Sequence, residues 1–174
     1  LDALHRDLDA TLAGRPPEAP LWQRLHQVHR HVTLQVEPLY ELIDGARWDL
    51  DGRSVETMDD LLTYSNLVGG SIGAMLLPFL LDAPTAPNRA ETPARALGIA
   101  MQLTNILRDV GEDYVRLDRI YLPRNWMAEA GLAPRDLDRS TIPDTYPALV
   151  ERVMAEAETL YETGLAGLDL LPPR

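Results

Sequence analysis

The segment "NILRDVGED", Asn105 to Asp113, sets two carboxylates one helical turn apart with an amide one turn before them. On a wheel of about 100° per residue, Gly98, Gln102, Asn105, Asp109 and Asp113 fall within roughly 80° of one another, and Arg116 continues the line. Leu103, Ile106, Leu107 and Val110 face elsewhere. Two carboxylates about 6 Å apart repel by ~3 kcal/mol at an effective dielectric of 20, but by under ~1 kcal/mol in water. Inside a cleft, such a pair calls for a cation. Mg²⁺ suits it, as a hard ion that takes one or two carboxylates and completes its shell with water and phosphate oxygens. Asn105 can hold a bound water or phosphate oxygen without adding charge. Arg108, Arg116 and Arg119 supply two-pronged phosphate donors near the same end. The stripe reads as a magnesium and diphosphate clamp.

A polar stripe on an arbitrary helix is most often simply solvated. Three features count against that here. The stripe runs amide, amide, carboxylate, carboxylate, without the Lys and Glu pairs of a wet face; Gly98, Ile99 and Ala100 make the helix apolar nearly all round at its start; and both carboxylates lie near the C-terminal end, where the helix dipole disfavours negative charge.

The elements that must position these residues all read with a period of 3.6, and the expected fold is all-α in a single helical domain over residues 1–174. A first helix stops at "GRPPEAP", a second runs from about Leu21 to Val32, and a third from about Glu37 to Leu50. Thr57 caps a long apolar segment with Asp60 three residues on, and Pro78 is expected to kink its last turns. On that segment Leu61, Tyr64, Val68, Ile72 and Met75 form one face, with Gly69, Gly70 and Gly73 beside it, a candidate tunnel wall. "DAPTAPN" is the next connection. The motif helix is expected to open with Thr92 as cap and Pro93 in first position. Short helices near Arg124–Ala130 and Pro134–Leu137 precede a last one from about Tyr146 to Leu165.

Composition narrows the function classes. With 16 basic against 27 acidic residues and a formal charge of −11, a nucleic-acid backbone is excluded as partner, and an anionic substrate needs a mediating cation. Cysteine is absent, which removes disulfides, thiol catalysis and thiolate metal sites and fits a reducing compartment. No uncharged apolar run is long enough to span a membrane, so the expected location is cytoplasmic, with peripheral membrane contact compatible with greasy substrates. "HQVHRH" reads as a solvated helix end, and Trp22, Trp48 and Trp126 as core or half-buried anchors.

"QLTNILRDVGEDYVRLDRIYLP" closely resembles the signature of the squalene and phytoene synthase family. "YSNLVGGSIGAM" resembles that family's other signature, usually written with Tyr, Cys, Tyr, then Val-Ala-Gly and Val-Gly. "RIYLP" points to the phytoene and dehydrosqualene branch. The resemblance implies an all-α isoprenoid synthase-type helical bundle that joins two prenyl diphosphates head to head through a cyclopropylcarbinyl diphosphate. It implies Mg²⁺, with Mn²⁺ as a substitute, and no NADPH site. Carried over by position, Asp109 and Asp113 are the second magnesium-binding motif. Asn105 and Gln102 line the cleft, Arg108 and Arg119 face diphosphate, Tyr64 sits near the developing cation, and Val68, Gly69 and Ile72 line the tunnel.

The chain departs from the family at both ends. The family's first aspartate-rich motif has no counterpart: Asp2, Asp7 and Asp9 lie in the segment that follows it, and Asp59 and Asp60 stand in the wrong context. The final helices have none either, and the chain begins at Leu1 in mid-helical pattern. The expectation is therefore the central part of a synthase, a bundle incomplete at both ends that does not turn over alone. The favoured reaction is two geranylgeranyl diphosphates to phytoene. The alternatives are a squalene or dehydrosqualene type using farnesyl diphosphate, and a non-catalytic helical assembly or binding homologue. Oligomeric state is not legible.

Overall fold

A computed structural model describes residues 1–81, 87–138 and 143–172, and among these the regular structure is helical throughout. The elements are α1 (Asp2–Leu12), α2 (Pro20–His31), α3 (Glu37–Leu50), α4 (Met58–Ser65), a π-helical turn (Asn66–Gly70), α5 (Ser71–Leu80), α6 (Pro87–Leu117), α7 (Arg124–Glu129), a 3₁₀ turn (Pro134–Asp138), α8 (Tyr146–Leu165) and a second 3₁₀ turn (Ala166–Leu170). The long α6 is the spine, with α5 and the π turn against one side and α8 along another.

Local chemistry accounts for most boundaries. At the start of α4, the Thr57 hydroxyl accepts the Asp60 amide at 3.2 Å while the Asp60 carboxylate accepts the Thr57 amide at 2.9 Å, a reciprocal cap that satisfies two free donors. Those bonds hold the Asp60 carboxyl below its usual range. Two acids of α1 are also engaged: Asp2 pairs with Arg47 at 2.7 Å and Asp9 accepts a hydrogen bond from Tyr40, both tying α1 to α3.

Two expectations about the long helices are corrected. The segment from Thr57 to Leu81 is not one α-helix, because the Ser71 amide bonds the Asn66 carbonyl and inserts a wider turn between α4 and α5. The added residue breaks the face read through Leu61, Tyr64, Val68, Ile72 and Met75. Leu61 and Tyr64 are buried, while Ile72 turns outward at 45% exposure. The α5 helix continues through Pro78 to Leu80. The motif helix opens at Pro87 rather than at Pro93, so Thr92 is not its cap. The proline that begins the helix is the earlier one, and Pro93 packs inside it against Gly167. Most of "DAPTAPN", residues 82–86, lies outside the described residues.

The core unites Leu61 and Tyr64 of α4, Leu103, Ile106 and Val110 of α6, Leu149 and Val153 of α8, with Trp48, Leu122 and Met127. Trp22 and Trp48 are buried; Trp126 is half-buried, with Arg152 3.9 Å above its ring.

The approach of α6 to the π turn is backbone to backbone. A Cβ built on Gly98 would run into the Gly69 carbonyl oxygen, one on Gly69 into the Gly98 oxygen, and one on Gly73 into the Ala94 oxygen. Neighbouring backbone cannot swing aside as a side chain can. By contrast, a Cβ at Gly111, further along α6, would meet only the Leu137 oxygen, at 3.5 Å. Gly98→Ala is therefore expected to destabilise by about 2–3 kcal/mol or more through overpacking. Gly111→Ala is expected to stabilise by about 0.5–1 kcal/mol through helix propensity. Urea unfolding of the two variants, read at the midpoint, checks the opposite signs.

Candidate active site

The last turns of α6 carry the clamp. Asp109 and Asp113 share one side of the helix with Asn105 and Gln102, and the four line a cleft of about 270 Å³ together with Tyr64, Ile106, Arg108 and Tyr121. A wider cleft of about 410 Å³ adjoins it, lined by Arg108, Asp109, Glu112, Asp113, Arg116 and Leu117. The stripe thus begins in the tight crossing at Gly98 and emerges beside open space at Asp109 and Asp113.

The two carboxylates are not equivalent. Arg108 donates to both oxygens of Asp109, Nε at 2.7 Å and Nη2 at 2.6 Å, and these bonds hold the Asp109 carboxyl below its ordinary range. Asp113 takes no hydrogen bond or ion pair through its side chain from any described residue. Burial pushes its pKa up, and the charges of Asp109, Glu112 and Asp49 push it further. A half-buried acid crowded by acids and lacking a cation is the arrangement a divalent ion relieves. Among the described residues no three His, Asp or Glu side chains converge on a complete metal shell. The pair still fits Mg²⁺, which binds through one or two carboxylates when phosphate and water supply the rest.

Two tyrosines line the same cleft as the carboxylates. Tyr64 and Tyr121 stack with ring centroids 4.9 Å apart and planes 19° from parallel, and Trp48 lies tilted against Tyr64 at 5.9 Å. Burial is the main cause that raises both phenols, Tyr121 to about 12 and Tyr64 further still, so both remain protonated at neutral pH. Both phenols donate to Asp49 in the last turn of α3, Tyr64 at 3.1 Å and Tyr121 at 2.8 Å.

Of the residues singled out in the sequence, Asp109, Asp113, Asn105, Gln102, Arg108 and Tyr64 share the one cleft. Arg119 is half-buried beside it, its Nη1 3.4 Å from Asp49. The remaining three lie along the π turn and α5. Val68 packs on the core and on Gly45, Ile72 is exposed, and Gly69 is buried at the crossing with Gly98 rather than on an open wall. Sequence reasoning missed Asp49 as a site residue, and quoted Tyr121 only within "RIYLP". The signal for Asp49 was available: a carboxylate in the last turn of a helix, next to a buried tryptophan, breaks the same dipole rule that marks Asp113.

Because Asp113 binds its proton more readily folded than unfolded, its ionised form opposes folding, and this penalty vanishes as pH falls below the ordinary carboxyl value of 3.8. Asp113→Asn is expected to raise Tm at pH 7, with the increment shrinking to nothing below about pH 4. Millimolar Mg²⁺ is expected to raise the wild-type Tm at pH 7 and to leave that of the variant nearly unchanged. Thermal melts across pH, with and without Mg²⁺, test both.

The sequence profile described as squalene/phytoene synthase matches residues 1–174. The phytoene synthase of Cereibacter sphaeroides is 38% identical, over 97% of this chain and 47% of its own length. The chloroplastic phytoene synthase of Narcissus pseudonarcissus is 36% identical, over 97% of this chain and 40% of its own. Among solved structures, a dehydrosqualene synthase in complex with ligand superposes with a TM-score of 0.89 at 38% identity, covering 98% of this chain and 59% of that one. Squalene synthase HpnC from Alicyclobacillus acidocaldarius superposes with a TM-score of 0.85 at 26% identity, covering 99% of this chain and 64% of that one. The chain spans about half the length of the curated relatives it matches. With the profile matched from end to end and the helical framework shared, the chain belongs to the squalene/phytoene synthase family.

Proposed function

We propose that this chain carries the second-motif half of a head-to-head prenyltransferase that joins two geranylgeranyl diphosphates into phytoene. The observation that carries the reading is the half-buried, acid-crowded Asp113, which shares one cleft with Asp109, Asn105 and a stacked tyrosine pair. A protein kept only for assembly has no use for a carboxylate held against its own neighbours. Relatives called phytoene synthase at 33–38% identity support the product class.

Asp109 and Asp113 would hold Mg²⁺ or Mn²⁺, which when bound would supply positive charge to the carboxylate pair and to diphosphate. The remaining work belongs to the chain's own groups. Asn105 orients water or a phosphate oxygen by hydrogen bonding. Arg108, exposed at the rim, offers a forked donor to phosphate. Tyr64 and Tyr121 present ring faces that stabilise an allylic cation without presenting a carboxylate to trap it. Ile72, Leu76 and Leu80 recur on α5 at helical spacing and are all exposed, an apolar wall suited to a prenyl tail. No helix among the described residues is long and apolar enough to cross a membrane, and greasy substrates are compatible with peripheral contact.

A second reading uses farnesyl diphosphate instead. It is favoured by the superposition on a dehydrosqualene synthase at the same identity as the nearest phytoene synthase quoted above. Incubation with Mg²⁺ and each diphosphate, of the 174-residue chain and of the longest reading frame that contains it, separates the readings by mass spectrometry. A forty-carbon hydrocarbon is expected and a thirty-carbon one selects the second reading. Absence of product together with no Mg²⁺ effect on Tm overturns the catalytic reading. In the active form, Asp109→Asn is expected to lower kcat by on the order of 100-fold or more, since charge stabilisation of several kcal/mol is lost. Ile72→Phe is expected to reduce kcat/KM for the longer tail more than for the shorter, because each excluded methylene forfeits about 0.8 kcal/mol of burial.

A further inference from the structure

Asp49 is the most heavily engaged carboxylate near the cleft, yet it is not among the residues lining it. Its Oδ2 accepts from the Tyr64 phenol at 3.1 Å, and its Oδ1 accepts from the Tyr121 phenol at 2.8 Å and lies 3.4 Å from the Arg119 guanidinium. These donors come from two separate places in the chain: α4, which supplies Tyr64, and the coil after α6, which supplies Arg119 and Tyr121. That coil is turned back toward α3 at Asp118, which adopts a left-handed conformation at φ 53° directly after α6 ends. Both oxygens of Asp49 are thus engaged by donors of the chain itself. Asp49 gathers the two phenols of the stacked pair, and both tyrosines are among the residues lining the cleft.

We propose that Asp49 is a positioning residue for the tyrosine pair: its carboxylate ties both phenols so that the stacked rings face the cleft, and it sets a fixed negative charge behind them. A phenol that donates to a carboxylate becomes more electron-rich, which strengthens the attraction of its ring face for a cation. Arg119 partly neutralises the carboxylate from the side and keeps it from attracting the cation past the rings. The step that benefits is the stabilisation of an allylic cation, so this inference rests on the proposed function.

The test uses Asp49→Asn and, as a milder second variant, Tyr121→Phe, which keeps the ring and removes one tie. Ultraviolet resonance Raman on the 174-residue chain reads the tyrosine doublet, whose intensity ratio reports strong donation by a phenol. Both variants are expected to shift it toward weaker donation. In the product-forming protein, Asp49→Asn is expected to lower kcat about 10-fold or more with KM within twofold, and to raise the share of water-captured prenyl alcohol. Tyr121→Phe is expected to give a smaller change in the same direction, and less additional loss in the Asp49→Asn background than on its own. An unchanged doublet in both variants, or an unchanged kcat and alcohol share in an active enzyme, overturns the proposal. Absence of product from both the 174-residue chain and the longest reading frame, together with no Mg²⁺ effect on Tm, overturns the proposed function instead, and the doublet alone then decides whether Asp49 ties the phenols.

Discussion

The close crossing of α6 over the π turn, at Gly98 and Gly69, is the constraint from which the rest of the site follows. Two backbones meet there with no room for a Cβ on either, and Gly73 repeats the condition against Ala94. The crossing fixes both the position and the rotation of α6. Because Gly98 lies on the same face as Gln102, Asn105, Asp109 and Asp113, burying it commits that whole face to run from a packed contact into the cleft. The π turn supplies the complementary offset. It lets Tyr64 stay in the core cluster on one side of the turn while α5 presents Gly73 to α6 on the other.

Electrostatics then divides the carboxylates of the site by how they are satisfied. Asp49 lies in the last turn of α3, and Asp113 and Asp109 lie one and two turns before the end of α6, on the side of each helix that the unpaired carbonyls make negative. Asp49 resolves this locally, with two phenols and Arg119 as donors. Asp109 borrows Arg108. Asp113 has neither solution, and its charge is opposed by burial and by three neighbouring acids. A fold that satisfies Asp60 with a reciprocal cap and Asp2 with an arginine leaves half-buried Asp113 without a side-chain partner among the described residues.

What was legible in the sequence is what short-range chemistry determines. The Thr57 and Asp60 cap, the span of α3, the span of α8 and the polar stripe each follow from residues within a few turns of one another. The π turn was not legible, because Asn66 to Gly70 carry no local signature that separates one wider turn from a continuous helix. Pro93 was misread since Pro87 meets the same first-position rule and lies further upstream. Gly69 was assigned to a tunnel wall because a glycine's partner is a backbone, which a sequence does not name. The Asp49 tie joins α3 to residues far along the chain, and only the assembled core brings Trp48, Tyr64 and Tyr121 together.

The pairing of Arg108 with Asp109 gives the asymmetry of the clamp a chemical use. Arg108 commits Nε and Nη2 to the two oxygens of Asp109, and those are the oxygens a divalent cation would need. Arg108 is largely exposed, so its release costs little packing, and once released its fork faces the cleft it already lines. In the structure the guanidinium covers one carboxylate; under the proposed function it would exchange that carboxylate for a phosphate of matching geometry. Asp113 needs no such exchange, having no partner to give up. The two acids of "NILRDVGED" are therefore unequal: Asp113 carries the electrostatic demand for a cation, and under the proposed function Asp109 would link meeting that demand to the freeing of Arg108 for an anion.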